Sequence, residues 1–496
     1  MRENILFLSL FFILSYMQLT LFNYIQDDAY IHFRIAENLV NSGLPYFNLN
    51  EPFMSSSSSL WTIFLALNFS LIGTDYITYL PIINSLFTVL SLYVFLKILE
   101  NYLERKLRIF EILIFIFSYL SILMPSSIGL METPLTILIV SLSIYLLMNN
   151  KLYGFALLTF AVFLRLEIAI FLIIISLIYM YKNPKNIFQI TLIIIIASMP
   201  FIIYDLYFFK TLLPLTAKAK SIVYDLSILS VAMTSVPSAY GLIGKIIEVI
   251  LIFIILFFIL KNKENIKFNL LTIYFLSGVL LLAAYILKST FLFGWYLPLY
   301  LIPIFLYLSY AVFKIDKPIL LVLLILVLFP FYKESIKTIY ASITADYSKF
   351  SNFKSGARVQ KYLEISKQLY LKYPNVTLLT SEIGGLGYGF KGYILDGMGL
   401  IQPLCLKYHP MSIPNQRSSG GIGAIPVGCV KEVLPEIIVS YDIFIESLSK
   451  NNILGKYNHY IEPIFTSTDM KLTTSHEIWG STKLNIYIRK DIDKGL

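Results

Sequence analysis

Charge is scarce in this chain. Only 14% of its 496 residues are Asp, Glu, Lys or Arg, where soluble domains carry about 25%. That scarcity excludes an ordinary soluble globule. Small residues are missing where a leader peptidase would cut, since the first apolar stretch ends in Phe22-Asn23-Tyr24-Ile25-Gln26, so a retained first span is expected rather than a cleaved signal. His409, His459 and His476 stand alone without metal-ligand spacing, so no zinc site is argued. The glycine-rich EIGGLGYG run lacks the Lys-Ser/Thr ending of a phosphate loop and reads as a turn. No internal repeat is apparent, and the five serines at 55–59 are the longest low-complexity tract.

What is abundant is apolar: 57% of residues, with a mean hydropathy of +0.74. The runs follow one another from Ile5 to about Phe331, and after Tyr332 the composition relaxes. Residues 1–335 are therefore expected to form a membrane domain and 336–496 a soluble α/β domain. The net charge of +9 does not point to nucleic acid, because the basic residues cluster in the gaps between apolar runs, as they do to orient membrane helices.

A crossing helix needs about 20 apolar residues, with about 17 the practical minimum. Spans are expected at 5–23, 76–98, 108–124, 133–149, 187–204, 240–260, 270–287, 296–313 and 318–332, with 59–72 an interfacial helix in a first outer loop over 24–75. Segment 152–181 carries Arg165 and Glu167, and a charge at the bilayer centre costs about 2.5–3.5 kcal/mol. Two shorter spans with these residues at an outer turn relieve that cost; one long tilted helix with a buried ion pair is the alternative. The hairpin reading gives about eleven spans, N-terminus inside and C-terminal domain outside, because it leaves Arg105, Lys106, Arg108, Lys182, Lys185, Lys261, Lys263 and Lys267 on the inner side. In the C-terminal domain a polar helix is expected at 353–371, and strands at Val376–Ser381, Tyr393–Leu395, Tyr441–Glu446 and Leu484–Arg489. Cys405 and Cys429 both lie there and could pair in an oxidising compartment, which the sequence leaves open.

Three constellations bear chemistry. In QDDAYIHFRIAENL, Asp27, Tyr30, Arg34, Glu37 and Asn41 share one helical stripe and Ala29, Phe33, Ala36 and Val40 another, which predicts an amphipathic helix on the outer membrane surface. Asp28 faces His32 at i+4. Adjacent carboxylates repel, which raises one pKa and suits a proton acceptor; alternatively the two acids only mark the membrane boundary. In LPLTAKAK and the residues before it, Lys210, Lys218 and Lys220 place positive charge in an outer loop, either to meet a phosphate or as snorkelling lysines. In GLMETPL, Thr133 and Pro134 read as N-cap and first helical residue, with Glu132 either functional or complementing the helix dipole.

Taken in order, DDAYIHFRIAENL, GLPYFN, SSSSLW, GLMETPL, FLRLEIA, LPLTAKAK, FGWYLPLYLIP and TSEIGGLGYGFKGYILDGMGLIQP resemble the GT-C superfamily of membrane glycosyltransferases, and among them the mycobacterial wall arabinofuranosyltransferases. The resemblance covers most of the chain. It implies a multi-pass protein of the cytoplasmic membrane that transfers a sugar from a polyprenyl-phosphate donor to a glycan or lipid acceptor on the outer face, among membrane lipids. It further implies an acid of the first outer loop as base, here Asp27 with Asp28 beside it. Tyr30, His32, Arg34, Glu132, Arg165, Glu167, the three lysines, Trp295 and Tyr296 would bind substrate or phosphate. Serines replace the family's Gly-Tyr-Thr-Ser before Leu-Trp, and Arg165-Leu166-Glu167 replaces Arg-Pro-Glu, so the sugar is not specified. No nucleotide is needed, and a divalent cation is left open. The competing classes are a transporter or flippase, which expects ionisable residues deep in the spans and pseudo-symmetric halves, and a non-catalytic scaffold.

Overall fold

The computed structural model describes residues 2–223, 227–235, 241–261, 269–290, 292–347, 353–411, 423–464 and 481–495. The expected inner lysines Lys263 and Lys267, and His476, lie outside them. The apolar first two thirds of the chain are helical: α1 (Arg2–Thr20), α2 (Asp27–Ser42), α3 (Ser59–Ile72), α4 (Tyr76–Leu103), α5 (Ile109–Ile128), α6 (Thr133–Met148), α7 (Gly154–Leu164), α8 (Ala169–Lys182), α9 (Ile187–Phe209), α10 (Leu215–Val223), α11 (Ile228–Ser235), α12 (Gly241–Lys261), α13 (Leu270–Leu287), α14 (Leu297–Ile315) and α15 (Pro318–Thr344). Among the described residues six helical stretches are long and apolar enough to cross a membrane: Ser59–Leu103, Ile109–Ile128, Pro184–Phe209, Leu270–Leu287, Gly294–Ile315 and Pro318–Thr344. Shorter apolar helices cover Ile5–Thr20, Thr133–Met148 and Gly154–Leu164. The bundle core is aliphatic and aromatic, with Phe95, Phe115, Tyr119, Ile144, Phe155, Leu306 and Leu324 fully buried.

The expected break in segment 152–181 is present. Helix α7 stops at Leu164, Arg165 is extended (φ −148°, ψ 114°), and a 3-10 turn over Leu166–Ile168 leads into α8. One expectation needs correction. The compositional boundary at 335 falls inside α15, which continues to Thr344, because a helix can pass from an apolar to a mixed environment without interrupting its backbone hydrogen bonds. The segment 59–72, expected as an interfacial helix of the outer loop, is the helix α3: Trp61, Thr62, Leu65 and Ala66 are buried, and it packs on α2 and α7.

The C-terminal part carries α16 (Phe353–Lys372), β1 (Thr377–Thr380), α17 (Gly385–Gly389), β2 (Tyr393–Asp396), α18 (Val427–Val433), β3 (Ile437–Ser440), α19 (Asp442–Lys450), β4 (Tyr457–Pro463) and β5 (Lys483–Arg489). The sheet order is β2-β1-β3-β5-β4, with β2, β1 and β3 parallel and β5 antiparallel to both β3 and β4. Alternate side chains separate to two faces. Leu378, Ile394, Ile437 and Ile486 pack with Val359, Tyr362 and Ile365 of α16, and in the same core lie Ala29 and Phe33 of α2. Leu379, Leu395 and Ile438 face Cys405, Cys429, Ile445 and Leu448. The strand expected at Tyr441–Glu446 is instead the start of α19. The strand is the fully buried run just before it, Ile437–Ser440, and the alternation in IFIESL belongs to an amphipathic helix, since a short apolar run does not distinguish the two by pattern. Strand β4, polar and half exposed, was not expected.

Cys405 and Cys429 form a disulfide that closes a loop of 24 residues in sequence separation. Cross-linking a loop of that size removes about 3 kcal/mol of denatured-chain entropy. The double variant Cys405→Ser/Cys429→Ser should lose about that much stability, seen in the full chain as faster hydrogen exchange at 397–410 and 427–433; unchanged exchange there would refute it.

Candidate functional site

Helix α2 presents two different faces to two different parts of the chain. One is the stripe Asp27–Tyr30–Arg34–Glu37, and it does not lie on a membrane surface as the periodicity suggested. It docks against residues 384–392 of the C-terminal part. Asp27 accepts the backbone N–H of Gly384 (3.0 Å) and of Gly385 (2.8 Å) through separate carboxylate oxygens. A Cβ on Gly384 would lie 1.9 Å from the Asp27 carbonyl oxygen, so only glycine permits this approach. The Tyr30 ring packs on Tyr388. Arg34 donates to the carbonyls of Phe47 (2.9 Å), Phe390 (2.9 Å), Gly392 (2.8 Å) and Gly387. Glu37 accepts from Tyr388 Oη and pairs with Lys391 at 3.1 Å. Arg34 was expected to bind substrate or phosphate; its Nη1 and Nη2 staple α2 to the C-terminal part, and its Nε holds the loop at Phe47.

The other face carries Asp28 and His32, and it meets a charged cluster. Arg165 bridges Glu132 (2.6 Å) and Glu167 (2.9 Å) and lies 4.3 Å from the centroid of the Tyr296 ring. Tyr296 Oη accepts from Lys220 Nζ at 2.8 Å. Trp295 stacks on Phe293 with ring centroids 4.8 Å apart, and its carbonyl accepts the Thr133 hydroxyl. Glu132, not Thr133, is the N-cap position of α6, and its buried carboxylate serves Arg165 more than the helix dipole. His32 Nδ1 lies 3.1 Å from Ser56 Oγ. Burial pushes the His32 pKa down, opposed by Glu132 and reinforced by Arg165 and Lys220, so the ring is neutral near pH 7.

The two aspartates differ in environment. Burial pushes the Asp27 pKa up, against the pull of Arg358 and the two glycine N–H groups. Asp28 has no hydrogen-bond partner among the described residues, and burial pushes its pKa up to about 6; Asp27 and Glu132 add to the rise, while Lys220 and Arg358 oppose it. A carboxyl that titrates near 6 is ionised at neutral pH yet basic enough to take a proton.

Lys210 and Lys218 are not brought to the cluster. Lys210 is an exposed left-handed C-cap of α9 that donates to the Tyr207 carbonyl. Lys218 is two residues from Lys220 on α10 and so points to the opposite, exposed side. Helix α10 is itself held by the C-terminal part, where Ala219 and Val223 pack on Met398 and on Leu406, the neighbour of Cys405.

Sequence reasoning missed several participants. Ser56 fixes His32 and also accepts from Ser58 N and Thr62 Oγ1; the serine run was its only signal. Arg358, paired to Glu382 at 3.3 Å, puts positive charge near both aspartates from α16, and nothing local in FKSGARVQKYLE announces that. Among the described residues no three His, Cys, Asp or Glu side chains converge to hold a metal ion. Comparison of the chain with protein-family models, curated proteins and solved structures returns no match.

Proposed function

We propose that this protein is an inverting glycosyltransferase of the membrane, moving a sugar from a polyprenyl-phosphate donor to a hydroxyl of a glycan or lipid acceptor, with Asp28 rather than Asp27 as the base. The observation that carries this reading is convergence. Five stretches far apart in sequence bring Asp28 and His32, Glu132, Arg165 with Glu167, Lys220, and Tyr296 to one end of the helix bundle, beneath the C-terminal part.

The chemistry follows from those groups. The Asp28 carboxylate takes the proton of the acceptor hydroxyl as its oxygen bonds to the sugar's anomeric carbon. The bond from that carbon to the phosphate oxygen breaks on the opposite face, and its electron pair leaves with the polyprenyl phosphate. A single displacement of this kind inverts the anomeric centre. Lys220 offers the charge that meets the developing phosphate dianion, while Arg165 holds Glu132 and Glu167 in place. Three helices end at the cluster: α6, α7 and α8, of 16, 11 and 14 residues. At 1.5 Å per residue they reach about 24, 16 and 21 Å, short of the roughly 30 Å hydrocarbon core. That shortness suits a recess at the depth of a lipid phosphate.

An eleven-span topology, N-terminus in the cytoplasm and C-terminal domain outside, fits this reading and the positive-inside rule. The disulfide agrees with an oxidising side for that domain. A flippase or scaffold would not require a base of this kind. The deciding experiment places the protein in nanodiscs with a panel of undecaprenyl-phosphate monosaccharides and a mixed acceptor extract. Release of undecaprenyl phosphate dependent on acceptor supports transfer; binding of the donors without release across the panel would sink it.

A further inference from the structure

We infer that a second site lies away from the charged cluster: a cleft of about 500 Å³ between the far end of α2 and the amino ends of β1 and β2 that binds a neutral oligosaccharide. Its volume is that of a ligand pocket, about 300–1,000 Å³, and it sits where two parts of the chain meet. The cleft is built in advance of any ligand. Asn48 closes one wall by donating to the Ile394 carbonyl (2.8 Å) and accepting the Ile394 N–H (3.2 Å).

Charge argues for a neutral occupant. Of the cations lining the cleft, Arg34 is committed to backbone carbonyls and Lys391 is paired with Glu37. The nearby carboxylate of Glu51 is engaged by Asn48 and by the Tyr393 hydroxyl at 2.8 Å. What the walls offer is amide and ring. Asn38 spends its N–H₂ on the Tyr46 and Phe47 carbonyls and keeps its oxygen as acceptor. Asn50 and Asn375 are exposed amides at the rim, and Tyr370 and Tyr393 supply ring surface. Amides that both donate and accept suit vicinal hydroxyls, and aromatic surface suits the C–H faces of a sugar.

Asn38 is ten residues beyond Asp28 on α2, about 15 Å along the axis. If the transferase reading holds, that distance places the cleft to grip an acceptor chain several units from its reacting end; the binding itself does not depend on that reading.

The test is capture of fluorescent nanodisc-embedded protein on an array of neutral and anionic oligosaccharides, with undecaprenyl-phosphate binding measured in parallel. Neutral glycans should be captured, and Asn375→Ala/Tyr393→Ala should weaken capture about tenfold or more while leaving undecaprenyl-phosphate binding unchanged. Absence of capture, capture confined to anionic glycans, or capture unchanged in the variant would each overturn the proposal. Capture of neutral glycans by a protein that does not bind undecaprenyl phosphate upholds the cleft and counts against the transferase reading.

Discussion

Asp28→Asn is expected to lower transfer by about 10²–10⁴-fold, the usual contribution of a positioned base, with donor binding little changed. Asparagine keeps the size and cannot accept the proton. In the unaltered protein, activity should rise with pH through about 6 as Asp28 ionises. Asp27→Asn separates the two acids. It removes a negative charge that raises the Asp28 pKa, so the acid limb of the pH–rate profile should move to lower pH. It also leaves one amide group facing the two N–H donors of Gly384 and Gly385, so the rate at the optimum should fall, but less than for Asp28→Asn. A limb left where it was would mean that the group titrating in the profile is not Asp28. If instead Asp28→Asn keeps full activity and Asp27→Asn loses all of it, the roles assigned to the pair are reversed.

Arg165→Gln should be the most disruptive single change at the cluster. It leaves the buried carboxylate of Glu132 without its 2.6 Å partner, and breaking a buried pair from one side costs about 3–5 kcal/mol. Loss of folding alone would explain an inactive variant, so the double variant Glu132→Leu/Arg165→Met is the informative one. Replacing a buried pair by apolar groups of similar size is often close to neutral for stability, and Glu167, the other partner of Arg165, is partly exposed to solvent. The double variant should therefore elute as a folded monodisperse particle, and its transfer should remain at least about 100-fold down. Wild-type transfer from that protein would mean the Arg165–Glu132 pair serves only the fold.

Serine 56 and arginine 358 explain why part of the site escaped the sequence. Periodicity reports which residues share a face; it does not report what that face meets. Asp27, Tyr30, Arg34 and Glu37 fall on one stripe of α2 as expected, but their partners lie some 350 residues away, at Gly384 to Gly392. A polar stripe facing a membrane surface and one facing a folded domain look alike in one dimension. The resemblance puts the base at Asp27 with Asp28 beside it, and the sequence alone does not tell which of the two is bonded to the N–H groups of Gly384 and Gly385. Among the lysines, the run suggested three equal candidates, and the 100° step per residue of α10 directs Lys220 to Tyr296 while Lys218 is exposed.

By itself the sequence determined the helical, membrane-suited character of the first two thirds, the break at Arg165, the helix at 353–372 and three of the five strands, since each rests on local hydropathy, charge or turn chemistry. Tertiary structure decided the course of β4, the strand and helix around Tyr441, which aspartate is bonded and which cations reach the cluster. Those depend on contacts closed across hundreds of residues, whose energy is set by the partner as much as by the residue itself.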